Sequence, residues 1–240
     1  STAMGVDTIA SGNACTAMGE DTTASGNTST AMGFRTEASA EHSTAMGRDT
    51  EASGDYSTAM GNGTTASGEV STAMGQSTEA SGTYSTAMGA VTTASDFGST
   101  VIGQYNSSGS TVTNSATVFN AANTAFVIGN GDIDQATGLA GPNPKNAFIV
   151  KYDGSATLSG DLTINSDARL KSNIISLGST LAKLLMIDGK SYTMKSNESK
   201  SKIGLLAQDV QKAFPELVKT TNDKDKTLSV NYQGLIPVLI

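Results

Sequence analysis

This chain of 240 residues has no tryptophan, one cysteine, one histidine, four prolines and few aromatic residues. A single cysteine rules out any intrachain disulfide framework, and Cys15 stands where neighbouring repeats carry Ser, so it reads as a neutral replacement and not as a reactive thiol. His42 occupies a variable position and reads as a solvated turn residue, not a ligand; no cofactor and no metal cluster is expected. Scarce aromatics and a Leu/Ile/Val content concentrated in the last third leave only that third rich enough for an ordinary core. No apolar run reaches membrane-spanning length and no signal peptide is visible, so no membrane insertion is expected. The pattern starts and stops in mid-phrase, which marks the sequence as a piece of a longer protein. Positive charge is also missing where it would matter: up to Gly103, eleven acidic side chains face only Arg35 and Arg48. That imbalance argues against nucleic acid, which requires clustered Lys and Arg.

What is present is repetition. Met recurs at Met4, Met18, Met32, Met46, Met60, Met74 and Met88, with Ile102 in the next place, and each is followed by Gly. The period is 14 residues without insertion. A short fixed period indicates a solenoid of stacked units. A Gly about every seven residues excludes helices and fits two short strands per unit, each ended by a turn. A disordered Ser/Thr/Gly tract would not hold this phase.

Comparing the copies separates inside from outside. The position at Ile9, Thr23, Glu37, Glu51, Thr65, Glu79 and Thr93 accepts Glu and Thr alike, so it is wet. Strand alternation then turns Thr8 and Ala10 inward, and in the first strand it places Thr2 and Met4 on the inner face. One Met per coil is a thin interior at about 25 cal/mol per Å² of burial. Association through the Met stripes is the expected remedy, because Met adapts its shape to such a seam. Eight coils at ~4.8 Å per rung give a rod of roughly 38 Å.

The strict period fails after Gly103. Ala125 to Gly131 resembles one more coil, with Val127 and Ile128 near the Thr-Ala-Met-Gly position. Gly131 to Pro144 reads as a connector loop, with receptor contact as the alternative. Asn146 to Gly154 and Thr157 to Ile164 read as strands joined at Asp153-Gly154. From Asn165 the grammar changes. A helix with an apolar face of Leu177, Leu181, Leu184 and Leu185 is expected. Strands at Gly189–Lys195 and Lys202–Leu206 follow, joined by a turn at Ser196 to Ser201. Then come a helix at Ala207–Phe214 stopped by Pro215, a strand at Thr227–Tyr232, and the first turns of a further helix at Gln233–Ile240. The reading is three segments: 1–103 repeats, 104–164 neck, 165–240 a small α+β domain.

Two resemblances add to this. The repeat is similar to the heads of trimeric autotransporter adhesins, with Met where that family often has Ile or Val. The resemblance implies a left-handed parallel β-roll in a homotrimer, with Met4, Met18, Met32, Met46, Met60, Met74, Met88 and Ile102 in the trimer core. The second is carried by Ser166-Asp167-Ala168-Arg169-Leu170-Lys171, by Ile203-Gly204-Leu205-Leu206-Ala207-Gln208-Asp209-Val210 with Phe214-Pro215-Glu216, and by Val230-Asn231-Tyr232 with Leu235-Ile236. These phrases resemble the endosialidase-type intramolecular chaperone that ends many phage tail spikes and fibres. That family's long C-terminal helix is missing here.

The second resemblance implies a chaperone that aligns three chains and then cuts itself at Asn165–Ser166. Ser166 would be the nucleophile and Lys171 the base, with Asp167 and Arg169 in support. A Ser hydroxyl needs such a base, and Lys serves only if burial or neighbouring cations lower its pKa. The activity would be at most one turnover per chain. From the residues alone, Ser166 as a helix cap and Lys171 as a surface charge is the competing reading.

The function implied is a trimeric surface or tail fibre, extracellular, on a cell or a virion, recognising a host or prey surface glycan or a protein receptor. The alternative is a fragment of a glycan-degrading tail spike whose catalytic domain lies upstream; paired carboxylates with aromatic platforms would mark it. An ice-binding solenoid is disfavoured by the mixed Thr/Glu outer column.

Overall fold

The computed structural model describes residues 1–107, 116–134, 136–137, 141, 143–195 and 197–240, the side chain of residue 197 aside. The expected connector loop at Gly131–Pro144 lies partly outside these residues; of the expected turn at Ser196 to Ser201, residue 196 lies outside them and residues 197–201 are instead strand, paired back to Lys190–Met194. The chain divides into two units, Ser1–Thr163 and Ile164–Ile240.

The first unit is a parallel β-solenoid. Each 14-residue coil contributes a five-residue strand, as at Thr16–Glu20, and a two-residue strand, as at Thr23–Ala24. The long strands stack in parallel with identical residues in register: Met4 on Met18, Met18 on Met32, and so on to Met88 on Ile102. The short strands stack into a second parallel sheet of seven. The long-strand sheet continues past the repeats. Thr124–Asn130 pairs in parallel with Thr100–Gln104, setting Val127 on Val101 and Ile128 on Ile102, so the expected extra coil is present in the expected register. Asn146–Lys151 and Ala156–Leu158 then close the sheet as an antiparallel hairpin.

Two left-handed corners per coil turn the chain. They recur every seven residues, at Asp7, Ala14, Asp21, Thr28, Arg35 and His42, and onward. The Gly after each Met is a different constraint. At Gly61, φ is +127° and an added Cβ would lie 2.0 Å from the carbonyl oxygen of Gly75 one coil on. A side chain there would have to separate the rungs, which accounts for a Gly in every copy.

The coil interior differs from expectation. The inner residue of the long strand is Ala, not Thr and Met: Ala17, Ala31, Ala45, Ala59, Ala73 and Ala87 are 0% exposed. Their flanking Thr and Met side chains lie on the outer face, the Met residues half-buried and the end-coil Met4 59% exposed. Alternation forces either Ala or the Thr/Met pair inward, and a narrow coil of 14 residues is filled by the smaller side chain, with Val101 and Val127 taking the same inner place after the repeats. The short strand behaves as the pattern predicts. Thr22 and Ala24 are buried, while Glu37, Glu51 and Glu79 face outward. The core is thus a column of methyl groups lined by Thr and Ser hydroxyls, with Cys15 filling one Ser position. Cys15 Sγ contacts the carbonyl oxygen of Gly12 at 3.0 Å, as Ser29 Oγ does that of Gly26 at 2.7 Å.

The second unit is a small mixed α/β region. Its core is Val210, Ala213, Phe214, Leu217 and Val238, with Leu184, Leu205, Val230 and Leu235 packed around it. A helix at Ala207–Ala213 puts Val210 inward, and Pro215 starts a 3-10 turn that ends it. Lys190–Met194 pairs antiparallel with Asn197–Gly204, and Val218–Thr220 with Leu228–Val230.

Two helices are shorter or tighter than the sequence predicts. The first spans only Leu181–Leu184, because Gly178 takes φ +65° and Thr180 Oγ1 donates to the Val238 carbonyl oxygen at 2.6 Å. Leu177, Leu181 and Leu185 are consequently exposed and only Leu184 reaches the core. Gln233–Val238 is a 3-10 helix, since Pro237 lacks the N–H that an α-helix would use. Large apolar side chains remain on the surface of this unit, Ile175 and Ile203 at 85% and 88% exposure.

Candidate self-cleavage site and chain-pairing face

The segment from Asn165 to Lys171 is organised by Asp167. Its backbone is extended and its carboxylate accepts the N–H of Arg169 at 2.8 Å, capping the 3-10 turn Ala168–Leu170. Capping therefore belongs to Asp167 and not to Ser166. The Arg169 guanidinium folds back on the same carboxylate, with Nη2 to Oδ2 at 2.6 Å and Nε bonds at 3.0 and 3.1 Å. The Arg169 side-chain bond, then its backbone N–H, holds the Asp167 carboxyl below the usual range, and Asp167 in turn raises the Arg169 pKa. Both are fully exposed, so the pair orders the turn more than it stabilises the unit.

The turn brings position 171 back over position 166. Lys171 Nζ donates to Ser166 Oγ at 2.7 Å. The two side chains are within direct hydrogen-bond reach of each other. Asp167 and Arg169 do not touch Ser166; they shape the turn that presents Lys171. Asn165, Ser166 and Lys171 are all exposed. The pair lies open to solvent. Around it, Leu170, Ile174 and Ile175 are 72%, 67% and 85% exposed, the kind of apolar surface that association covers.

The Met side chains form a second feature. From Met4 to Ile102 and on to Ile128 they make one ladder on the outer face of the long-strand sheet, one side chain per rung. A parallel column of Thr from Thr2 to Thr100 runs beside it.

Sequence reasoning missed a cavity of about 460 Å³ in the second unit, lined by Tyr192, Leu205, Leu206, Leu228 and Tyr232 among others. Its marker is Tyr232 Oη, which accepts the Leu205 N–H at 3.0 Å. Among the described residues no cluster of three or more His, Cys, Asp or Glu could hold a metal ion, and no helix is long and apolar enough to cross a membrane.

Comparison with known proteins gives two family matches. The family described as "YadA head domain repeat (2 copies)" matches residues 16–36, 38–64, 66–92 and 80–106. The family described as "Chaperone of endosialidase" matches residues 166–219. Among curated proteins, the chain is similar to the long tail fiber protein Gp37 of Escherichia phage AR1, 34% identical over 96 residues. It is also similar to the Gp37 of Salmonella phage S16, 32% identical over 122 residues. These alignments cover 37% and 48% of this chain but only 9% and 16% of the two relatives. Between residues 16 and 106 the chain is accordingly similar to YadA head repeats, and over residues 166–219 to the endosialidase chaperone family.

Proposed function

We propose that this chain is a segment of a homotrimeric virion tail fibre that recognises a surface receptor, and that residues 165–240 form a chaperone that aligns three chains and then severs itself. The observation that carries the reading is the Met ladder. It is apolar, half-buried and continuous over the repeats, and it lies on the outside of a coil whose interior is already filled by Ala. Three such ladders facing one axis would bury what one chain leaves in water. Both matched families and the phage fibre relatives support a trimeric fibre.

A parallel solenoid needs a register-setting device. A slip of one coil nearly superimposes the pattern, and pairing between chains is slow because the contacts are non-local. A terminal domain that associates first would fix the register. Cleavage would follow once association buries Lys171. Neutral Lys171 takes the proton of Ser166 Oγ, and the oxygen attacks the Asn165 carbonyl carbon. The C–N bond breaks as the Ser166 nitrogen takes up a proton, leaving an ester between Asn165 and Ser166. Water hydrolyses the ester to give an Asn165 carboxylate and a new amino terminus at Ser166. Removal of the clamp makes later unfolding kinetically irreversible.

Mass spectrometry of the expressed protein together with its oligomer size tests this reading. A trimer with scission before Ser166 is expected in a chain that extends past Ile240. A stable monomer contradicts it.

A further inference from the structure

We infer that the second corner of the solenoid, from Glu41 to Tyr84 and on to Phe119, binds a linear, uncharged glycan lying along the rungs. The inference rests on the receptor-recognition reading above and deepens it by assigning the surface and the ligand class.

The chain is poor in aromatic residues, yet it gathers them here. Successive coils put the pairs Glu41-His42, Asp55-Tyr56, Glu69-Val70 and Thr83-Tyr84 at this corner, followed by Phe97-Gly98. Two columns result on rungs about 4.8 Å apart: an acidic one of Glu41, Asp55 and Glu69, and one of rings, His42, Tyr56 and Tyr84, with Val70 between the two Tyr. The rings are held in place. His42 stacks on Tyr56 with centroids 4.9 Å apart, and Tyr84 meets Phe97 edge-on at 5.3 Å. They still present surface, Tyr56 at 55% and Tyr84 at 52% exposure. The column does not stop where the repeat places a Gly. Tyr152, in the turn after the strand Asn146–Lys151, puts its hydroxyl into the space beside Gly98, donating to its carbonyl oxygen at 2.8 Å, and Phe119 packs edge-on against Tyr152 at 5.1 Å.

The chemistry selects the ligand. Exposed rings accept the apolar C–H faces of a sugar, and the Glu41 and Glu69 carboxylates accept its hydroxyl protons. This corner carries no Lys or Arg between Asn13 and Gly98; Arg35 and Arg48 belong to the opposite corner. An anionic polymer is therefore repelled. An extended peptide is a poorer fit, because its amides need backbone partners and the corner amides are already paired rung to rung, as Tyr56 N–H to Glu41 oxygen and Tyr84 N–H to Glu69 oxygen, both 2.8 Å. A polyol brings its own donors. Tyr56 and Tyr84 are two rungs apart, about 10 Å, the scale of a disaccharide, so a repeating ligand meets a repeating site.

The test is binding of the labelled full chain to Escherichia and Salmonella cells and to an array of neutral oligosaccharides beside sialylated and sulfated ones. The Tyr56→Ala/Tyr84→Ala variant is compared with Phe34→Ala on the opposite corner, with melting curves run in parallel. The expected result is binding to neutral sugars and periodate-sensitive binding to cells, unaffected by added salt. The double variant should lose about tenfold or more in affinity with its melting curve unchanged, while Phe34→Ala binds as the parent does. Full-strength binding by the double variant removes the site but leaves receptor recognition standing. So does cell binding that resists periodate and yields to protease or to salt, which would point to a basic protein segment. Preference for sulfated or sialylated sugars also overturns the inference. Absence of binding to both cells and array defeats the receptor-recognition reading itself.

Discussion

The carboxylate of Asp96 accepts the backbone N–H of Thr124 at 2.7 Å, joining the last regular coil to the strand that follows the excursion after Gln104. Asp96 stands where the earlier coils have Gly12, Gly26, Ala40, Gly54, Gly68 and Gly82, and it is fully buried. Restoring the repeat with Asp96→Gly would leave a buried N–H without an acceptor. The expected loss is about 2 kcal/mol, in the range of a charge-assisted bond, with faster amide exchange over Thr124–Asn130. Asp96→Asn keeps an acceptor oxygen and is expected to lose less. Hydrogen exchange and urea unfolding check both.

The buried Thr column is a reservoir of instability. Thr22, Thr36, Thr50, Thr64, Thr78 and Thr92 have hydroxyl oxygens with no hydrogen-bond partner in a methyl-lined interior. Thr50→Val keeps the branched shape and removes one unpaired hydroxyl, so a gain of about 1 kcal/mol is expected. A urea midpoint that falls would show that the hydroxyl is satisfied in the assembled fibre.

The Met ladder is the proposed seam between chains. Met46→Glu combined with Met60→Glu leaves the Ala core of each coil untouched but would place charges in that seam. Sedimentation should then report loss of the trimer, because each uncompensated buried charge costs several kcal/mol. Glu51→Gln, on the outer face of the short-strand sheet, is expected to leave assembly unchanged.

For self-cleavage, Ser166→Ala and Lys171→Ala are each expected to abolish scission, a fall of at least about a thousandfold in rate, while trimers still form. Arg169→Ala frees the Asp167 carboxylate without touching Ser166, so partial slowing is expected there. Intact mass against time separates the three.

Acid should loosen the loop between Val218–Thr220 and Leu228–Val230. Asp223 accepts from Thr221 Oγ1 at 2.7 Å and from the Thr227 N–H at 2.9 Å, and these bonds, the Thr221 hydroxyl foremost, lower its pKa from 3.8 to about 2. A depressed carboxyl contributes order that is complete above its unfolded value and is lost as pH falls through the folded one. The window therefore runs from 3.8 down to about 2. A carboxyl titration followed by NMR should give a midpoint near the lower figure for Asp223, and Asp223→Ala should abolish the acid-dependent change at Thr227.

Much of this was legible in the residues because the repeat exposes its own rules. A fixed phase with Gly at constant intervals leaves room only for stacked short strands, and variation between copies marks the wet positions such as Glu37 and Glu51. The Ala-Phe-Val-Ile-Gly phrase likewise marked one more coil beyond the strict period, and Val127 and Ile128 stack on Val101 and Ile102. The pairing of Ser166 with Lys171 was expected from the resemblance of three phrases and not from their spacing, which by itself fits a cap and a surface charge; the contact between them appears only in the folded turn. Three things waited for three dimensions. Which of Ala and Met faces inward depends on the space the wound coil encloses, a quantity alternation does not contain; Ala fills it in the repeats, and Val101 and Val127 fill it after them. The end of the first helix depended on Gly178 and on the Thr180 bond to Val238, a partner 58 residues away. The aromatic corner, assembled from coils 14 residues apart and completed by Tyr152, exists only once the chain is wound, because winding converts a sequence period into adjacency.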